Sequence, residues 1–269
     1  MTQLDTPRLS TLDRRKFIKL IALSTSIAGL SIEGLRETVT VELRRVNLNL
    51  GLGATLLVVT DTHLHGWGWV EETLKASLLS ASLEADVLVF LGDGYDHNTP
   101  GLELLPRLFS EVSIPKIGVL GNHEHWAADK FPLEMGLEAY RASGFRLLLN
   151  EAIEVRGIRF GGLDWFHDET YIGRSYLKQV GKVDVLLSHT PDAVLLEPEA
   201  RLVLSGHTHG GQVCLPFLGP IWVPSKLGRR YASGVFDYNG LKLVVSRGAG
   251  ESGVPLRLNC PREILLVDI

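Results

Sequence analysis

The sequence predicts an α/β protein built from two β-sheets with helices on their outer faces, and three observations lead there. Apolar, β-branched runs alternate with helix-spaced segments through the first half, a hairpin pattern breaks that alternation in the middle, and further strands close the chain. At 269 residues with 45% hydrophobic and 22% charged positions, the chain has the composition of one large core-bearing domain or two small ones.

Taken in order, Val39, Val41 and Leu43, then Val46, Leu48 and Leu50, alternate as a half-buried strand does. Ala54–Thr60 is continuously apolar and β-branched, the pattern of a strand buried on both faces. Trp69–Leu83 has helical spacing, Asp86–Leu91 is a strand, Leu102–Val112 a helix and Lys116–Leu120 a strand. Ala152–Val155 and Ile158–Leu163, joined at Arg156-Gly157, read as a hairpin. Val183–Ser188 and Arg201–Ser205 are short buried strands, and Leu241–Ser246 and Glu263–Asp268 complete the set. There is no internal repeat and no low-complexity tract.

The N-terminus reads as an address. Asp13-Arg14-Arg15-Lys16-Phe17-Ile18-Lys19 resembles a twin-arginine export motif, and an apolar stretch from Leu20 to Leu30 follows it. That stretch is much shorter than the ~20 residues of a membrane-spanning helix. Residues 1–35 are therefore assigned to a twin-arginine signal or a membrane anchor, and 36–269 to the folded domain. The expected partner is the twin-arginine translocase. The expected location is across the cytoplasmic membrane, in the periplasm or cell wall or on the membrane-associated outer face.

Charge and cysteine content narrow the chemistry. A net charge of −4 argues against general nucleic-acid binding, which needs a positive excess along the phosphate backbone. Two cysteines, Cys214 and Cys260, are too few for a disulfide framework or a thiolate zinc site. Six of the nine histidines stand in close pairs: His63 with His65, His123 with His125, and His207 with His209.

Metal-ligand residue types collect where the buried strands end. Asp61-Thr62-His63 follows the first, then Gly92-Asp93, Gly121-Asn122-His123-Glu124, Ser188-His189, and Gly206-His207-Thr208-His209-Gly210-Gly211. Ligands of open α/β sheets gather beyond the carboxyl ends of strands, so these five endings are expected to converge. Carboxylate, amide and imidazole without thiolate suit divalent Mn, Fe or Zn.

This ordered set resembles the calcineurin-like metallophosphoesterases from about Ala54 to the C-terminus. Ser205–Val213, Ser246-Arg247-Gly248-Ala249-Gly250 and Pro255-Leu256-Arg257-Leu258 are similar to the YkuE-like branch. The resemblance implies a four-layer αββα sandwich of two mixed β-sheets flanked by helices. It implies two divalent metal ions, one on Asp61, His63 and His209, the other on Asn122, His189 and His207, with Asp93 between them. In such a centre the ions activate water for in-line attack on phosphorus. His123 would serve the leaving oxygen, and Asp96 would orient His123. Purple acid phosphatases carry a tyrosine where this chain has Asp96, so no tyrosinate-iron site is expected. Gly94 stands where the family often has an apolar side chain, which is expected to cost some packing.

The substrate implied is a phosphorylated small molecule or lipid, lipid-linked and nucleotide-sugar pyrophosphates included. The stretch Cys214–Lys226 is unusually apolar for a segment rich in proline and glycine. It fits either a loop folded onto the core or a lip facing acyl chains or a membrane surface, with Arg229 and Arg230 near phosphate or headgroups. His65, His97, His125, His167 and Asp164 are expected to make ordinary polar contacts or to line the mouth of the site.

Two rival readings remain at this level. Asp61-Thr62-His63-Leu64-His65 after a buried strand is also similar to the opening of TatD-type amidohydrolase and nuclease barrels, in which both histidines bind metal. The second rival is a non-catalytic scaffold that keeps its metals.

Overall fold

A strand that is apolar on both faces is stable only between two layers, and its side chains alternate between them. The computed structural model, which describes residues 34, 36–167 and 169–269, shows that alternation in both sheets. Apart from Gly34, the leader read over residues 1–35 lies outside the described residues.

In β2 (Thr55–Val59), Leu57 and Val59 pack toward the outer helices, while Leu56 and Val58 enter the space between the sheets. β3 (Val87–Phe90) and β14 (Arg262–Asp268) divide in the same way. The first sheet has six strands in the order β1 (Val41–Asn47), β14, β2, β3, β4 (Lys116–Gly118), β5 (Phe145–Leu147), all parallel neighbours except β14 with β2.

The second sheet also has six strands, in the order β12 (Gly234–Tyr238), β13 (Leu241–Val245), β9 (Leu202–Ser205), β8 (Val185–Ser188), β7 (Ile158–Leu163), β6 (Glu151–Val155). Its centre is parallel and each edge is an antiparallel hairpin.

Helices α1 (Trp69–Ser82), α2 (Leu104–Phe109), α3 (Asn122–Trp126) and α4 (Leu133–Ala142) lie on the first sheet's side. α1 turns Leu74, Leu78 and Ala81 inward at helical spacing. Helix α5 (Thr170–Val180) covers the second sheet through Ile172, Tyr176, Leu177 and Val180. Three hydrophobic layers therefore separate four layers of structure, and the αββα sandwich is the fold. Two sheets, each with its own edge strands, also dispose of the barrel reading.

Two element expectations need correction. The helix expected over Leu102–Val112 is α2, Leu104–Phe109; beyond Ser110 the chain closes in a turn, with Val112 N–H on the Phe109 carbonyl. The β-branched residues before Pro115 disfavour a continued helix. In β1, Leu43 was expected to face inward but is 46% exposed, because the strand lies at the sheet edge.

Candidate metal centre

The parallel strands deliver their carboxyl ends to one place. The loops after β2, β3 and β4 bring Asp61, His63, Asp93 and Asn122 from the first sheet, and those after β8 and β9 bring His189, His207 and His209 from the second. All seven side chains are buried. Asp61, His63 and His209 form one group able to hold a metal ion and Asp93, His189 and His207 another, with ligand atoms in each within 4.8 Å of one another. Asp93 belongs to a further group with His63 and His123.

The backbone is bent to achieve this. Asp61, His63, Asp93, His207 and His209 all take positive φ, from 40° to 69°. That conformation costs a non-glycine residue roughly 1–3 kcal/mol, persists only where the surrounding structure over-determines it, and clusters at functional sites.

The directions of the lone pairs test whether a cation fits. His189 Nδ1 lies 2.7 Å from the Leu91 carbonyl, so it carries a proton and donates, which leaves Nε2 facing inward. That one nitrogen meets Asn122 Oδ1 at 3.0 Å, Asp93 Oδ2 at 3.1 Å and His207 Nδ1 at 3.1 Å. A single proton cannot satisfy three such partners, whereas a divalent cation can. His63 repeats the arrangement: Nδ1 lies 3.0 Å from Asp96 Oδ2, while Nε2 is buried and has no hydrogen-bond partner among the described residues. His209 Nε2 lies 3.3 Å from Asp61 Oδ1. The donor set fits divalent ions of the Mn, Fe and Zn kind.

Burial and the close charges of the cluster shift its groups in opposite directions. Burial disfavours charge on each imidazole. At His189 the carboxylates of Asp93 and Asp61 outweigh it and push the pKa up to about 10. Burial together with the neighbouring His189 charge brings His207 down to about 3. Burial, then His63 and Arg257, hold His209 well below its usual range. Burial raises Asp61, whereas at Asp93 the charge of His189 overcomes burial and holds the carboxyl well below its ordinary value.

His123 stands at the edge of the cluster with its side chain 23% exposed. Its backbone N–H donates to Asp93 Oδ1 at 2.9 Å, and its ring Nε2 lies 4.0 Å from Asp93 Oδ2 and 3.5 Å from Ser252 Oγ. The expectation that Asp96 orients His123 is corrected. Asp96 Oδ2 is taken up by His63 Nδ1 and by His65 Nε2, the latter at 2.7 Å, so Asp96 backs His63 instead.

Among the residues lining the cavity, neither Arg229 nor Arg230 occurs. Arg229 donates to the Pro220 carbonyl at 3.4 Å and Arg230 lies over the Tyr231 ring. His125 pairs with Asp164 at 2.8 Å, and exposed His97 pairs with Asp129.

The supporting roles of Glu124 and Arg257 escaped the sequence reading, and the expectation for Gly94 is corrected. Glu124 is fully buried and accepts from Gly121 N–H and Asp93 N–H at one oxygen, and from Gly94 N–H and Tyr140 Oη at the other. It ties the loop after β3 to the loop after β4. Gly94 has no room for a larger residue, since a Cβ there would lie 2.3 Å from Tyr140 Oη; the glycine costs no packing and is required. Arg257, also fully buried, donates to the carbonyls of Gly250, Arg247 and Cys260 behind His209. Tyr95 packs with Phe131 and Tyr140 in the core.

Asp93, Asn122, His207 and His209 of the cluster line a cavity of about 320 Å³, together with apolar Trp126, Val213, Trp222 and Val254. A model of the calcineurin-like phosphoesterase family matches residues 54–211, the span that carries all of these loops. The chain belongs to the calcineurin-like phosphoesterase family. It is a metal-dependent phosphoric ester hydrolase. An uncharacterized metallophosphoesterase of Aquifex aeolicus is 34% identical over 204 residues, covering 68% of this chain and 72% of the relative. The uncharacterized metallophosphoesterase YkuE of Bacillus subtilis is 31% identical over 208 residues, covering 72% and 71%. The phosphodiesterase YaeI of Escherichia coli is 26% identical over 164 residues, covering 58% of each chain.

Proposed function

We propose that this phosphoesterase works with two divalent ions, one held by Asp61, His63 and His209 and one by Asn122, His189 and His207, with Asp93 between them. The observation that carries the reading is the convergence of Asn122 Oδ1, Asp93 Oδ2 and His207 Nδ1 on His189 Nε2, beside the buried Nε2 of His63, which has Asp93 Oδ2 at 3.6 Å but no hydrogen-bond partner among the described residues. When bound, such ions supply Lewis-acid charge to the phosphoryl oxygens and activate water.

This chain's own residues do the rest. Leu91 and Asp96 fix the tautomers of His189 and His63, so that each turns a lone pair inward. Asp93 anchors the backbone of His123, whose ring borders the cavity where a leaving oxygen would emerge. Burial lowers the pKa of His123, so the imidazole is neutral near neutral pH and offers an N–H to that oxygen. The name of the YaeI relative supports a phosphodiester as substrate. The twin-arginine motif supports export, with metal loaded into an already folded chain.

The test is metal stripping followed by reloading with Mn, Fe, Zn or Mg, with turnover of a phosphomonoester, a phosphodiester and a nucleotide-sugar pyrophosphate measured alongside ion content. Metal-dependent turnover that falls about 10²–10⁴-fold in His123→Ala is expected. Full ion content with no turnover on any substrate would favour the scaffold reading.

A further inference from the structure

The segment Cys214–Lys226 buries its start and exposes its middle. β10 (Cys214–Leu215) and β11 (Gly219–Pro220) form a short hairpin, and Phe217 and Leu218 stand in its connection. Phe217 is fully exposed and takes φ 65°, a conformation disfavoured for a bulky residue. Leu218, Ile221 and Trp222 are exposed beside it, Trp222 at 69%. A loop folded onto the core would hide these side chains. A contiguous apolar patch of this kind marks an interaction surface.

Three further observations say what covers it. Trp222, two residues beyond the hairpin, is exposed and also lines the catalytic cavity together with Val254, His207 and His209, so patch and cavity are continuous. Exposed Arg229 donates to the Pro220 carbonyl of the hairpin and exposed Arg230 follows it in the chain, so basic side chains stand beside the apolar segment. Residue 34, which follows the apolar stretch Leu20–Leu30, enters the fold on the same side. A Cβ at Gly34 would touch Leu256 Cδ1 at 3.2 Å, and Cys214 N–H donates to the adjacent Leu258 carbonyl. Exposed aromatic and aliphatic side chains with arginine beside them suit the boundary of a bilayer with anionic headgroups.

We infer that the β10–β11 hairpin docks on an anionic lipid bilayer, bringing the cavity mouth to the headgroup plane, and that the substrate is an amphiphilic phosphoester or pyrophosphate whose hydrocarbon chain lies along Trp222 and Val254. The substrate half of this rests on the phosphoesterase reading above. The docking half does not.

The test uses the full chain on vesicles of phosphatidylcholine and phosphatidylglycerol with brominated acyl chains, which quench tryptophan at short range. The chain has five tryptophans, so the quenching lost in Trp222→Phe reports that residue. Quenching of Trp222 is expected, abolished in a Phe217→Ser, Leu218→Ser double variant and weakened in Arg229→Gln, Arg230→Gln. Unquenched Trp222 on vesicle-bound chain overturns the docking, and equal quenching on phosphatidylcholine alone overturns the role of the anionic surface.

In a second arm, the Phe217→Ser, Leu218→Ser variant should turn over a vesicle-borne long-chain phosphodiester about tenfold more slowly, with a soluble chromogenic diester within about twofold of wild type. Equal loss on both substrates overturns the amphiphile. If metal-loaded wild type hydrolyses neither substrate, the phosphoesterase reading fails, while the quenching still decides the docking.

Discussion

Glu124→Gln is the perturbation that asks most of the site's construction while leaving every proposed metal ligand in place. The carboxylate accepts from Gly121 N–H at 2.8 Å, Asp93 N–H at 3.0 Å, Gly94 N–H at 2.7 Å and Tyr140 Oη at 2.5 Å, all away from water. An amide of the same shape keeps one acceptor oxygen. Its NH₂ must then face one of the two donor pairs, leaving two buried donors unsatisfied. Each costs about 1–3 kcal/mol, so the loss is roughly 2–6 kcal/mol. A middle value of about 4 kcal/mol lowers Tm by roughly 8–16 °C for a domain of this size.

Because two of the four donors belong to Asp93 and Gly94, ion affinity should fall as well, by roughly 10–100-fold. Tyr140→Phe is the control: it removes one donor and leaves three backbone N–H groups on the carboxylate, for about 1 kcal/mol. Thermal melting and calorimetric titration with Mn or Zn on the three proteins measure both effects. A Glu124→Gln protein melting within about 2 °C of wild type, with unchanged ion binding, would refute the view that this carboxylate holds the two loops together.

Two further outcomes follow from neighbouring contacts. Asp96→Asn should weaken ion binding about 10–100-fold by releasing His63, whereas His65→Ala should leave most of it, and titration of both variants would distinguish them. The pair His125–Asp164 gives a pH signature: burial opposes the imidazolium, but the hydrogen bond and charge of Asp164 outweigh it and raise the pKa. A raised folded-state value means that the stabilisation is fully present below the unfolded value of about 6.5 and disappears as pH rises through the folded one. Asp164→Asn should therefore cost on the order of 1 kcal/mol near about pH 5.5 and little near about pH 9, read from urea midpoints.

Strands buried on both faces announce themselves, which is why β2, β3, β7 and β14 were legible almost to the residue. The elements that the sequence hid have mixed signals. Helix α5 contains Gly173, which packs against Leu196 and breaks the apolar spacing, and α4 places Gly136 where Tyr95 leaves no room for a side chain. β5 and β12 lie at or near sheet edges with few buried residues. At the centre, residue types at strand ends pointed to the cluster because ligand chemistry restricts the choice to a few side chains. The contacts behind them were not legible, since Asp96 can serve His63 or His123 equally well until the loop is folded. Glu124 and Arg257 act mainly through backbone groups, and backbone partners leave no mark on a sequence.

The division of the ligand groups between the sheets has a mechanical consequence. One candidate group joins Asp61 and His63 of the first sheet to His209 of the second, and the other meets Asn122 of the first with His189 and His207 of the second. An ion in either position is a rivet through the seam of the sandwich. Its ligands come together only where the two sheets meet, so an ion there would tie the sheets to each other.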